Sequence, residues 1–130
     1  MHLESETEQR LDRCAAALKI SPRMLAERYL EEGIRMDEHP LIFFIDGPTG
    51  RRAVLRGTGA DVWEVMATVK DNDGHGVVAA ARYLDLPVSL VKGAAAYHAA
   101  FPEEINARIE SNQNDSQQAE AAYLDGPSAK

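Results

Sequence analysis

The sequence predicts a mostly α-helical protein that contains one short β-hairpin. Apolar residues recur every three or four positions along most of the chain, which indicates helices. One central segment instead joins two extended apolar runs through a cluster of turn residues, which indicates a hairpin. Because 45% of the 130 residues are hydrophobic, the chain can bury a core. We expect an N-terminal helix pair over 1–38, a hairpin and helical bundle over 39–110, and a flexible acidic tail over 111–130.

The N-terminal region predicts two helices separated by a tight turn. The first begins near Ser5 or Thr7, which can cap it, and its apolar stripe includes Cys14, which we expect to be buried as a small hydrophobe. Ser21, followed by proline, begins the second helix, which extends to about Met36. Two short helices bury little on their own, so we expect this pair to pack against a partner or the rest of the chain. The predicted inward residues of the second helix are Leu25, Tyr29, Leu30, Gly33 and Ile34.

The central segment predicts a β-hairpin, because the β-favouring runs LIFFI and RRAVL flank a cluster of turn residues. Residues 40–60 carry three arginines against the single acid Asp46, a net charge of 3 − 1 = +2. These arginines are candidates for contacts with DNA phosphates. Alternatively, they keep an exposed strand edge soluble. The three are Arg51, Arg52 and Arg56.

Four more helices are predicted after the hairpin, at about 60–70, 76–84, 87–99 and from Pro102 onwards. The second and third of these resemble a helix-turn-helix in length, with a turn between them at residues 85–86. Ala81 and Val91 lie at the two inward positions of that motif. Ser89 and Lys92 lie on the exposed side of its second helix, so we take both as candidate DNA contacts. A packed helical bundle with no nucleic acid is the alternative.

The composition changes at Ser111, after which the chain is polar with few large apolar residues. We expect this tail to be disordered or weakly helical. Residues 103–130 carry two basic and six acidic residues, a net charge of 2 − 6 = −4. Tyr123 and Leu124 form an apolar pair on this polar segment, which is typical of a segment that folds on a partner. A frayed terminus is the alternative.

Several classes of function are disfavoured. The overall charge of −7 argues against nucleic-acid binding over the whole surface. The polar, acidic start predicts no signal peptide, and no window reaches the roughly 18 apolar residues of a membrane helix, so we expect a cytoplasmic protein with no membrane partner. One cysteine cannot form an intrachain disulfide. The histidines lack metal-ligand spacing and GPTGRR lacks the ending of a P-loop, so we expect no enzyme, no cofactor and no metal.

Residues 3–36 resemble the helical part of a ribbon-helix-helix antitoxin. The matching features are the RLD-x-x-A run on the first helix, the restart at Ser21 and the close of the second helix. The resemblance implies a homodimer that pairs N-terminal strands, which enter the DNA major groove. Only Met1, His2 and Leu3 are left to form that strand, so dimerisation is the stronger expectation here. The residues matched at the close are Leu25, Glu27, Leu30, Glu31, Glu32 and Gly33.

Residues 46–110 resemble a small antitoxin module that is common in bacterial toxin–antitoxin operons. Its signature is a glycine-rich hairpin end with Gly-Thr, then helices that close with a tyrosine and Pro-Glu-Glu; Gly59 stands where the family usually has arginine. The matching residues are Gly50, Val54, Leu55, Arg56, Gly57 and Thr58, then Ala94 to Tyr97 and Phe101 to Glu104.

Together, the two stretches resemble a VapB-like antitoxin. The resemblance implies that the protein neutralises a PIN-like ribonuclease toxin and represses its own operon by binding operator DNA. Arg108, Tyr123 and Leu124 are the candidate toxin contacts, with a basic residue such as Arg108 competing at the carboxylates of the toxin. The alternatives are a stand-alone DNA-binding transcriptional repressor and a protein-interaction module without a nucleic-acid role.

Overall fold

The computed structural model describes residues 2–47, 50–71 and 76–128, with side chains described as far as Ala122. Within them the chain forms six helices and one two-stranded antiparallel hairpin, which confirms the predicted fold class. The predicted hairpin turn at 48–49 and the predicted break at 72–74 lie outside the described residues. No helix in the described part of the chain is long and apolar enough to cross a membrane. The chain divides into two units, Met1–Pro40 and Leu41–Lys130.

The first unit consists of α1 (Ser5–Leu18) and α2 (Pro22–Glu38). Glu4 occupies the N-cap position of α1 without a side-chain cap, so neither predicted cap is used. The turn between the helices places Lys19 at φ 61°, where its backbone N–H bonds back to the end of α1. The Ser21 hydroxyl caps α2 by accepting from the Met24 backbone nitrogen at 3.1 Å, as the Ser-Pro pair predicts.

The core of the first unit is small, and this corrects part of the prediction for α2. Its buried apolar side chains are Ala15 and Leu25. Tyr29 is half exposed, and Leu30 and Ile34 are 53% and 55% exposed. A single neighbouring helix covers only one side of α2, whereas the predicted stripe is wider than that side. The free Cys14 is exposed instead of buried, because it lies one residue, and so a large rotation, from the buried position of Ala15.

The second unit begins with the hairpin of β1 (Ile42–Gly47) and β2 (Gly50–Leu55), in a register that pairs Ile42 with Leu55. Four helices follow in chain order. They are α3 (Val62–Asp71), α4 (Gly76–Leu84), α5 (Val88–Ala100) and α6 (Pro102–Ser128).

A single core joins the hairpin to these helices. Both inward positions of the helix pair α4–α5 are buried, Ala81 at 4% and Val91 at 0% exposure, which confirms their predicted orientation. Tyr97 of α5 is fully buried, and its hydroxyl donates to Glu104 Oε2 of α6 at 2.7 Å. The other core residues are Ile42, Ala53, Leu55, Val62, Val65, Met66, Ala80, Ala94, Ile105 and Ile109.

Helix α6 extends far beyond its buried part. Ile105 and Ile109 reach the core, whereas every residue from Glu110 to Ala122 is exposed. The backbone remains helical to Ser128, where the sequence predicts a flexible or weakly helical tail from residue 111. No glycine or proline interrupts the chain between Glu103 and Asp125, so nothing in this stretch breaks the helix that Pro102 begins.

Candidate nucleic-acid and partner interface

Two of the three hairpin arginines make ion pairs inside the second unit. Arg51 Nη1 lies 3.3 Å from Asp46 Oδ2 across the hairpin. Arg52 Nε lies 2.7 Å from Asp61 Oδ1, at the start of α3; the two atoms are close enough for an ion pair but are not aligned as a hydrogen bond. Both arginine side chains are partly buried. Their charges are therefore partly compensated within the protein, and they connect strands and helix.

A carboxylate that sequence reasoning missed completes this cluster. Asp61 begins α3, since its carbonyl accepts from the Val65 backbone N–H at 3.1 Å. Glu64 lies one turn further on, where burial raises its pKa, the Asp61 charge raises it further and Arg52 opposes both. The sequence does contain a pattern that could have indicated this cluster, because two acidic residues begin a predicted helix that follows an arginine-rich strand.

Arg56 is placed differently from the other two arginines, because it is exposed at the end of β2. Its guanidinium carbon lies 5.8 Å from the centroid of the Phe43 ring, a cation–π arrangement. Its backbone N–H donates to the Leu41 carbonyl at 2.8 Å. The Leu41 side chain in turn lies against Gly93 of α5. The two are so close that a β-carbon built on Gly93 would lie 2.8 Å from Leu41 Cδ1. Arg56 is thus held close to α5.

Helix α5 presents both of its predicted DNA contacts to solvent. Ser89 and Lys92 are exposed, and both lie in the turn of α5 that precedes Gly93. The structure therefore exposes Arg56, Ser89 and Lys92 in the second unit, and leaves Arg51 and Arg52 in their ion pairs. Sequence reasoning missed two solvent-facing residues of α4: Arg82 is exposed, and Tyr83 is 80% exposed. Both residues lie outside the apolar stripe of α4, and this position could have indicated from the sequence that they are exposed.

The glycine-rich signature serves the backbone of a turn. Gly57 and Gly59 have φ of 84° and 69°, a region that other residues rarely adopt. The Thr58 hydroxyl accepts from the Ala60 backbone N–H at 3.2 Å, which closes the turn. The Gly-Thr stretch thereby reverses the chain between β2 and α3. Gly59, where the family usually has arginine, fits this conformation without strain.

The predicted toxin contacts are placed in two ways. Arg108 Nη2 donates to the Arg51 carbonyl at 2.7 Å in a partly buried contact, so this side chain ties α6 to the hairpin. Tyr123 and Leu124 lie on the helical backbone of α6, but their side chains are outside the described residues. What the described surface of α6 does offer is an exposed stretch, Ser111–Ala122, whose charged residues are Asp115 and Glu120.

The residues that the structure describes include no group of three or more His, Cys, Asp and Glu side chains that could hold a metal ion.

Comparisons with protein-family models, with curated proteins and with solved structures find no match for this chain.

Proposed function

We propose that the protein is an antitoxin. It binds and neutralises a PIN-like ribonuclease toxin in the cytoplasm, and it represses its own operon by binding operator DNA. It acts by binding and performs no catalysis. Toxin and DNA occupy different surfaces of the second unit, the distal part of α6 and the exposed side of α4–α5.

The observation that carries this proposal is the exposed part of α6. A helix that is polar on all sides and packs against nothing gains little stability from its surroundings. From Ser111 to Ala122 the described helix has acidic residues and no basic ones. A ribonuclease must hold RNA, so its cleft is basic and complements such a helix. Neutralisation follows if the helix occupies that cleft and excludes the substrate.

The second surface supports the DNA-binding half of the proposal. A helix-turn-helix presents its second helix to the major groove. Here that helix is α5, on which Ser89 and Lys92 are exposed. Arg56 and Arg82 are exposed in the same unit and would supply charge for phosphates. Only a few cations contribute, so we expect modest affinity and a shallow dependence on salt.

The test is co-expression of the full chain with the small ribonuclease encoded beside its gene, scored by growth rescue and by inhibition of RNA cleavage. The double variant Asp115→Lys, Glu120→Lys should lose inhibition and keep operator binding. The matched control is Glu38→Lys, Asp71→Lys, which makes the same charge change at exposed C-terminal ends of α2 and α3, where cations are tolerated. The control should inhibit fully. Failure of the unmodified chain to bind or inhibit that ribonuclease would refute the proposal.

A further inference from the structure

Helix α2 has an apolar stripe on the side that α1 leaves uncovered. Leu30 and Ile34 are both more than half exposed and lie one turn apart. Ile34 is nine residues from the buried Leu25, which is two and a half turns, so the two point in opposite directions. Ala26 precedes Leu30 by one turn and continues the stripe. A unit of about 40 residues with so small a core needs this surface covered.

An open groove lies beside the first residue of that stripe. It has a volume of about 270 Å³ and is bordered by the N-terminal segment, α1 and the beginning of α2. Its lining is mixed: Leu3, Leu11, Pro22 and Ala26 are apolar, whereas His2, Glu8, Asp12 and Arg23 are polar or charged. Because Ala26 is small, the stripe itself has room at this position for a branched apolar side chain from a facing helix.

We infer that a second copy of this chain covers the stripe, with the two α2 helices antiparallel and crossing at Leu30. In this register Leu30 meets Leu30 of the second copy. Residues at equal distances on either side of the crossing then face each other, so Ile34 of each copy lies against Ala26 of the other. The contact is two-fold symmetric, so each copy contributes the same residues to it.

The charges beside the stripe favour a second copy over an unrelated partner. Arg23 and Asp37 lie seven residues before and seven residues after Leu30, and both are exposed. In the antiparallel register, Arg23 of one copy therefore faces Asp37 of the other, twice per dimer. Arg23 is available for this, because its side chain is 89% exposed and its contact with Glu27 in the same helix is 3.3 Å long. A self-complementary pairing satisfies both charges with one and the same surface.

This arrangement differs from pairing through an N-terminal ribbon. Helix α1 begins at Ser5, and the described residues before it, 2–4, form no strand. The inferred dimer is held by helices alone. It deepens the proposed function, on which it rests for the role of a homodimer, but the pairing surface is argued from the first unit by itself.

The first experiment is sedimentation equilibrium of the full chain without DNA or toxin. The unmodified protein should be a dimer. Leu30→Asp places two like charges at the crossing and should raise the dissociation constant at least about tenfold. The matched control is Met24→Asp, since Met24 is 59% exposed on the same helix but away from the stripe. It should leave the dimer intact. Circular dichroism of each variant verifies that the helices persist.

The second experiment tests the register with a charge swap. Arg23→Glu and Asp37→Arg should each weaken the dimer, and the double variant should restore it. Both new charges suit their helix ends. Arg23→Glu also replaces the contact with Glu27 by a like-charge pair within α2, so circular dichroism of this variant and of the double variant is compared first. A monomeric unmodified protein, or equal effects of Leu30→Asp and Met24→Asp, would overturn the inference, and a double variant no tighter than the singles would overturn the register. A dimer that fails to bind the ribonuclease would refute the proposed function and leave this inference standing.

Discussion

Tyr97 and Glu104 form a side-chain hydrogen bond between α5 and α6, and Tyr97→Phe removes it. The Tyr97 side chain is fully buried, and its hydroxyl donates to Glu104 Oε2 at 2.7 Å. A hydrogen bond to a charged group contributes about 1.5–3 kcal/mol. Glu104 is exposed, so water replaces the lost donor and the effect falls toward the lower end. We expect the free energy of unfolding to fall by about 1–2 kcal/mol, because phenylalanine fills the same space and leaves no cavity.

The assay is urea denaturation of the full chain, followed by circular dichroism at several wavelengths, with Glu104→Ala and the double variant completing a cycle. The two single changes should be strongly non-additive, since each removes the same contact. Operator binding by the folded variant should not change. A loss below about 0.3 kcal/mol for Tyr97→Phe, or simple additivity in the cycle, would refute the assignment of this tyrosine to the contact between α5 and α6.

Three further predictions concern the second unit. Glu64→Gln should stabilise the protein at pH 7, because the raised pKa of Glu64 means that folding disfavours its charged form. The gain in the free energy of unfolding should shrink as the pH falls through the folded-state pKa, and it should vanish below the ordinary value of 4.5. Urea denaturation at several pH values measures this. Gly93→Val should destabilise by about 1–3 kcal/mol, since even a Cβ there stands 2.8 Å from Leu41 Cδ1, and unchanged thermal unfolding would contradict this contact. Lys92→Ala and Arg56→Ala should each reduce the salt slope of operator binding by about one, measured by fluorescence anisotropy, and an unaltered slope would remove that residue from the interface.

Much of the second unit could be predicted from periodicity, because there each apolar stripe has a neighbour to cover it. The predicted helix at 76–84 has the bounds of α4, and Ala81 and Val91 are inward as expected. The burial of apolar residues in the first unit could be predicted less well. Periodicity shows which side of α2 is apolar, but it does not show whether another helix is present to bury Leu30 and Ile34.

The roles of the hairpin arginines Arg51, Arg52 and Arg56 could be predicted only in part, since the fold gives two of them an ion pair and leaves the third exposed. Arg52 and Asp61 are nine residues apart, and they meet because the chain reverses at Gly57 and Gly59. That pairing depends on two positive φ angles and cannot be seen in local composition. The contact of Arg108 with the Arg51 carbonyl joins residues 57 positions apart, and no pattern in the sequence indicates it.

The length of α6 has a mechanical consequence. Beyond Ile109, the last buried residue among the α6 side chains that the structure describes, the helix continues for 19 residues to Ser128, and at 1.5 Å per residue this is a length of roughly 28 Å. Arg108 clamps the base of this stretch to the hairpin. A molecule that binds the far end and keeps this stretch helical would be held at a set distance and direction from the hairpin, whereas a coiled tail of the same length would let it move freely. Its pull would be transmitted to the hairpin strand from which Arg56 extends.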